Sequence, residues 1–174
     1  MATFSFSTVQ RIPTDLAKAW SFFSDPSKLQ TITPENLGFT ILSGQSGKKI
    51  YAGQLIEYIV KPFLDIPLYW MTEITHVQDG VYFIDEQRTG PYQFWHHQHH
   101  FRAIEGGVEM TDIVHYRNPL GLIGNIANRL FVQKQLRTIF EFRFKKIEEV
   151  FGEWNEKINP AQLDKPVNYI TPVV

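Results

Sequence analysis

The chain has 174 residues, a formal net charge of −1 at pH 7 and no cysteine. This length suits one domain with a substantial core, the near-neutral charge gives no overall attraction to nucleic acid or an anionic membrane, and the lack of cysteine excludes disulfides and thiolate metal sites. The start, "MATFSFSTVQR", does not resemble a signal peptide, and no apolar stretch approaches the ~18 residues of a membrane span. We therefore expect a cytoplasmic protein without a nucleic-acid partner or stable membrane insertion; the sequence does not indicate its oligomeric state.

The beginning of the chain predicts one strand followed by two short helices. Residues 3–11 alternate in the manner of a strand. Thr14 or Pro13 can begin a helix, and Asp25-Pro26 ends it. The segment "SKLQTIT" predicts a second short helix. The apolar stripe of the first helix consists of Leu16, Ala19, Trp20 and Phe23.

Six further segments have the length and composition of strands. Turn signals such as Gly90-Pro91 separate them, and Gly106-Gly107 between two alternating runs is a strong hairpin signal. Short links between consecutive strands favour an antiparallel meander. The predicted strands cover residues 39–42, 54–60, 68–77, 81–89, 92–104 and 108–117.

The hydrophobic period changes to about 3.6 residues after Asn118-Pro119, which predicts one long helix over residues 121–151. We expect residues 1–152 to form one domain and residues 153–174 an extended tail. The predicted apolar face contains Leu122, Ile126, Leu130, Gln133, Leu136, Phe140, Phe144, Ile147 and Phe151. The helix also carries basic residues that we interpret as a solvated face rather than a nucleic-acid or lipid site: Arg129, Lys134, Arg137, Arg143, Lys145 and Lys146.

Three segments together resemble a bacterial, polyketide cyclase/dehydrase-like branch of the START-like (SRPBCC) superfamily. They are "FIDEQRTGPYQFWHHQHHF", "MTDIVHYRNPLG" and "NRLFVQKQLRTIFEFR". The resemblance covers about residues 3–151. It implies an α+β helix-grip fold, in which a curved antiparallel seven-stranded sheet wraps around a long C-terminal helix, with two short helices after the first strand. It also implies a hydrophobic ligand cavity between sheet and helix, but no single activity, because some members bind ligands and others are enzymes.

Four of the six histidines lie in the strand over residues 92–104, where the side chains alternate between two faces. Trp95 and Phe101 bracket His97 and His99 on one face, which favours that face as the inner one. His96 and His100 lie on the opposite face, and we interpret them as surface histidines.

Acidic and amide side chains on the neighbouring strands share the inner face with these histidines. Asp112 alternates in phase with apolar residues, and Asp85 and Gln87 are in phase with Phe83. A tight turn at Pro91 puts Asp85 opposite His97. A turn at Gly106-Gly107 puts Phe101 opposite Asp112, with His99 diagonal to it. The predicted polar set is therefore Asp85, Gln87, His97, His99 and Asp112.

A histidine pair with carboxylates can bind zinc, iron or manganese, but the spacing does not match the cupin metal motif. One residue too many separates Gly90 from His97, and Glu105 lies too far beyond His99. We therefore expect no bound metal and no cofactor.

Two functions stay open for this polar set, besides a purely structural or interaction role. The first is binding of a lipid, isoprenoid or polyketide-like molecule, with the polar set at one end of an apolar cavity. The second is cyclase/dehydratase chemistry without a metal, in which His97, His99, Asp85 and Asp112 act as acids and bases. The predicted ligand-binding residues are Gln87 and the wall residues Trp70, Phe83, Trp95, Phe101, Tyr116, Leu130 and Phe140.

Overall fold

The computed structural model describes residues 3–43, 49–61, 66–119, 131–155 and, for the backbone alone, 169–173. Within these ranges, eight antiparallel strands form one sheet in the order β2-β3-β4-β5-β6-β7-β1-β8. Their bounds are β1 Thr3–Ile12, β2 Thr40–Ser43, β3 Gln54–Val60, β4 Leu68–Gln78, β5 Tyr82–Thr89, β6 Phe94–Ile104, β7 Gly107–Arg117 and β8 Tyr169–Val173.

The seven predicted strands and their antiparallel meander are confirmed. The sheet also has an eighth strand that the sequence did not predict, because β8 pairs with β1 at the sheet edge. The segment Tyr169–Val173 is short and contains a proline, so its pattern alone does not distinguish a strand from an irregular tail.

Three helical segments follow β1, an α-helix and two 3₁₀ turns, of which the last is Glu35–Leu37. Helix α1 (Leu16–Phe23) begins after Asp15, whose carboxylate accepts a hydrogen bond from the backbone N–H of Lys18. Asp15 is therefore the N-cap, rather than the predicted Thr14 or Pro13. The second predicted helix is a single 3₁₀ turn, Pro26–Leu29.

The long helix is confirmed from Gln133 onward. Helix α2 (Gln133–Phe151) buries Leu136, Phe140, Arg143 and Ile147, which are spaced four, three and four residues apart and share one face. The predicted portion over residues 121–130 lies outside the described residues. None of the described helices is long and apolar enough to cross a membrane.

The β6–β7 hairpin turns one residue earlier than predicted. Ile104 pairs with Gly107, so the two turn residues are Glu105 and Gly106, and Gly106 adopts a φ of 80°. Gly107 belongs to β7, where a Cβ atom would lie 2.2 Å from the carbonyl oxygen of Ile12. The predicted register was wrong by two residues, which moves His99 opposite Asp112 and Phe101 opposite Met110. A shift by two leaves every side chain on its predicted face.

The core has two parts that leave a space between them. Under α1, Trp20 packs edge-on against Phe83 and Phe101, with ring centroids 6.0 and 5.4 Å apart. Under α2, Phe140 packs on Phe6 of β1, with centroids 4.8 Å apart. The middle of the sheet therefore faces a region that neither group of side chains fills.

Candidate functional site

A cavity of about 200 Å³ lies between the inner face of the sheet and the helices. It is smaller than the several hundred Å³ common for small-molecule pockets, because large rings project into the space from the strands and α2. Four predicted wall residues, Trp70, Phe83, Trp95 and Phe140, line it. Apolar residues of the 3₁₀ segment and α2 that the sequence analysis did not select also contribute, among them Leu29, Leu136 and Ile139.

Two predicted wall residues are core residues instead. Phe101 lies against Trp20 and Phe23, with ring centroids 5.4 and 5.5 Å away. Tyr116 is fully buried and packs against Phe4, 5.7 Å away, at the start of the first strand. Both point to the inner face as predicted, but helix α1 and strand β1 cover them. Leu130 lies outside the described residues.

The inner face of β6 brings His97 and His99 together with two carboxylates from the neighbouring strands. Asp85 pairs with His97 across β5–β6, as predicted, and Asp112 pairs with His99 across β6–β7. His97 Nε2 lies 2.8 Å from Asp112 Oδ1, and His99 Nε2 lies 2.8 Å from Asp85 Oδ2. The two imidazole rings are 3.8 Å apart. Each histidine therefore lies between both carboxylates, and we call these four residues the His–Asp cluster.

The two outer histidines lie where the sequence places them. His96 Nδ1 is 2.9 Å from Glu86 Oε1, and His100 Nε2 is 2.9 Å from Gln98 Oε1. Both side chains are partly exposed on the convex face of the sheet.

Gln87 does not belong to the polar set. Its side-chain amide donates to the carbonyl oxygen of Tyr92 at 2.6 Å, and its amide oxygen accepts from the Tyr92 N–H at 3.2 Å. These bonds close the loop between β5 and β6. The prediction that Gln87 faces the cavity is corrected accordingly, because the loop backbone takes both ends of its amide.

The distances around the two histidines indicate which ring carries the extra proton. His99 approaches carboxylate oxygens with both nitrogens, Nε2 at 2.8 Å and Nδ1 at 3.0 Å, although the second contact is poorly aligned. His97 makes one short contact, and its Nδ1 stays 3.5 Å from Asp85 Oδ2. Negative oxygens close to both ring nitrogens favour the charged form of an imidazole. We therefore assign the charge to His99 and the neutral state to His97.

The environment of each ring shifts its pKa in the matching direction. Burial lowers the pKa of His99, but its hydrogen bonds to Asp112 and Asp85 outweigh burial, and the net pKa is raised above the usual value. Burial lowers the pKa of His97 as well, and the positive charge of His99 lowers it further. The hydrogen bond to Asp112 does not compensate, so the pKa of His97 is lowered.

Both carboxylates of the cluster stay ionised. Burial raises the pKa of Asp112, but hydrogen bonds from His97 and His99 outweigh it, and the net pKa lies far below the usual range. Burial likewise raises the pKa of Asp85, but its interactions with His97 and His99 more than reverse this effect.

Arg143 is a site residue that the sequence analysis missed. It was interpreted as part of a solvated helix face, and this interpretation is wrong, since Arg143 is only 9% exposed. Its Nη1 lies 3.8 Å from Asp112 Oδ1, and its guanidinium lies 4.8 Å from the centre of the Phe140 ring. The sequence feature that could have indicated its burial is its position three residues after Phe140 and four before Ile147, on the apolar face of the helix. With Asp85 and Asp112 negative, and His99 and Arg143 positive, the cluster and Arg143 have no net charge.

Three residues of the cluster could also hold a metal ion. One ligand atom each from Asp85, His97 and His99 lies within 4.8 Å of the others, and Asp112 contacts the remaining nitrogen of both histidines. A divalent cation there would displace the proton of His99 and would add positive charge beside the Arg143 guanidinium. Elemental analysis of the purified protein distinguishes a cluster that binds a metal ion from one in which His99 carries a proton.

Comparison with known proteins supports the fold. No family model and no curated protein matches the chain by sequence. Solved structures do match: a protein from Arthrobacter aurescens has a TM-score of 0.64 at 15% identity, with 83% of this chain and 86% of that one covered. Protein CV1439 from Chromobacterium violaceum gives a TM-score of 0.64 at 9% identity, over 86% and 97% of the two chains. Ara h 8.0201 gives 0.58 at 14% identity, again over 86% and 97%.

Identities this low concern the fold alone. The antiparallel sheet, the short helix after β1 and the long C-terminal helix form the helix-grip α+β fold.

Proposed function

We propose that this protein binds a small hydrophobic or amphipathic molecule, such as a lipid, isoprenoid or polyketide-like compound, in the cavity between sheet and α2. A cytoplasmic location without a nucleic-acid partner is part of the same proposal. The observation that carries it is a mostly apolar cavity that Asp85, His97, His99 and Arg143 also line, since a few polar groups in an apolar pocket suit an amphipathic ligand.

Calorimetric titration with octan-1-ol tests the proposal. This alcohol has an apolar chain and a neutral polar end, so it needs no particular charge in the site. We expect saturable binding of one molecule per chain with a negative heat-capacity change, the marker of apolar burial. No saturable binding, or binding without a heat-capacity change, would count against a hydrophobic cavity that accepts ligands.

A second candidate function is acid–base catalysis of the cyclase/dehydratase type in the same cavity. The observation in its favour is the pairing of a charged His99 with a neutral His97, 3.8 Å apart, since one ring can donate a proton and the other accept one. Asp85 and Asp112 orient both rings. Enolate formation from a ketone needs one base and one acid in this arrangement.

The enzyme hypothesis predicts proton abstraction next to a carbonyl group. In D₂O, we expect the protein to accelerate deuterium incorporation beside the carbonyl of octan-2-one, followed by NMR. His97→Gln and His99→Gln should slow this exchange by about 10²-fold or more, while octan-1-ol still binds. His96→Gln, on the outer face of the same strand, should leave it unchanged. If the wild type is no faster than buffer, or if binding and exchange fall together in both variants, catalysis loses its support.

A further inference from the structure

The Arg143 guanidinium has hydrogen-bond donors that the described residues do not satisfy. Its Nε is buried without a hydrogen-bond partner, and its Nη1 lies 3.8 Å from Asp112 Oδ1, beyond hydrogen-bond length. The side chain is about nine-tenths buried and lines the cavity. A guanidinium has five N–H donors, and leaving them unpaired away from water is costly. An acceptor supplied by a ligand would remove this cost.

Three other polar side chains of the cavity wall bond to one another. The Tyr58 hydroxyl lies 2.9 Å from Thr72 Oγ1, and Trp70 Nε1 donates to the same oxygen at 3.0 Å. The Nε of Arg143, by contrast, is a buried donor of the wall without a partner. Phe140 supports its guanidinium from one side, which fixes the plane of the donors.

A carboxylate fits these features better than a phosphate. The planar guanidinium fork matches the two coplanar oxygens of a carboxylate. A carboxylate also brings one negative charge to one guanidinium, whereas a phosphate dianion would bring two.

We propose that Arg143 binds the carboxylate of an amphipathic acid whose apolar chain fills the cavity. This inference rests on the proposed function, because it requires that the cavity is a ligand site. It names the class of ligand, a medium-chain carboxylic acid.

Titrations with octanoic acid and octan-1-ol test it, since the two ligands differ in the head group. We expect Arg143→Met to lower the affinity for octanoic acid by about tenfold or more, with the affinity for octan-1-ol within about twofold of wild type. Arg143→Lys keeps the charge without the fork, so its loss for octanoic acid should be smaller than that of Arg143→Met. The exposed Arg137 lies on the same helix, and Arg137→Met should change neither affinity.

The possible outcomes distinguish the binding function of the cavity from the assignment of Arg143 to a carboxylate head group. If neither ligand binds, the cavity is not a ligand site and both proposals fail. If both bind but Arg143→Met weakens them equally, or weakens neither, the head-group assignment is wrong and the binding function stands. Tighter binding of octyl phosphate than of octanoic acid would also overturn the assignment to a carboxylate.

Discussion

Asp112→Asn should lower the free energy of unfolding by about 3 kcal/mol at a pH near 6, the cost of removing one partner from a buried ion pair. Asp112 is 5% exposed and accepts a hydrogen bond from His97, with His99 Nδ1 3.0 Å and Arg143 Nη1 3.8 Å away. Asparagine preserves the shape but leaves the charges of His99 and Arg143 without this counter-charge. Urea unfolding of the variant and the wild type measures the difference.

The pH dependence of that difference follows from the two pKa shifts. The pKa of Asp112 is lowered by folding, so its contribution is present above the unfolded value of about 3.9 and is lost as pH falls through the folded value. The pKa of His99 is raised, so its contribution is present below about 6.5 and is lost as pH rises through the raised value. The destabilisation should therefore be largest between about pH 4 and 6.5, and should shrink in acid.

Glu109→Gln is the matched control, since Glu109 lies on the same strand and pairs with Arg11 and Arg102 on the outer face. It should cost clearly less than Asp112→Asn, because Glu109 is more exposed than Asp112 and its second partner, Arg102, lies in solvent, where ion pairs contribute little. Equal costs for Asp112→Asn and Glu109→Gln, or a cost for Asp112→Asn that grows in acid, would contradict the charge assignment of the cluster.

Ile56→Trp should abolish or strongly reduce ligand binding while the protein stays folded. Ile56 is 5% exposed on β3 and lines the cavity. An indole there would occupy much of the 200 Å³ space, and overpacking would cost about 1–3 kcal/mol of stability. We expect the affinity for octan-1-ol to fall by about tenfold or more, equivalent to about 1.4 kcal/mol. Calorimetric titration provides the affinity, and urea unfolding provides the stability.

Leu55→Trp makes the same change one residue earlier, where the side chain is 50% exposed on the outer face. It should leave the affinity unchanged. Equal affinities for the two variants would mean that ligands bind elsewhere on the protein.

The strands and their faces could be predicted from the sequence because alternation is a local property. Strand β3 has the predicted bounds, and the inner face of β6 carries His97 and His99 as expected. The pairing of Asp85 with His97 could also be predicted, because the Gly90-Pro91 turn limits how β5 and β6 can align. The register of β6 against β7 could not, since either of two adjacent glycines can complete the turn, and Gly107 is needed in β7 instead because the backbone of Ile12 leaves no room there for a side chain.

The cavity was harder to predict than the sheet, because its wall depends on which core residues the helices cover. Phe101 and Tyr116 lie on the inner face like Trp95, but Trp20 and Phe4 pack over them. Arg143 was missed because basic residues on a helix are usually solvated. Its burial depends on Asp112, which lies 31 positions earlier and is brought near only by the fold.

Native mass spectrometry of the protein, after incubation with an extract of small apolar metabolites and lipids, shows directly whether the cavity binds a ligand. We expect a complex of one small molecule with one chain for the wild type and for Leu55→Trp, and a markedly weaker complex for Ile56→Trp. A wild-type protein that retains no small molecule, or complexes of equal intensity in all three proteins, would contradict the claim that the cavity binds a ligand.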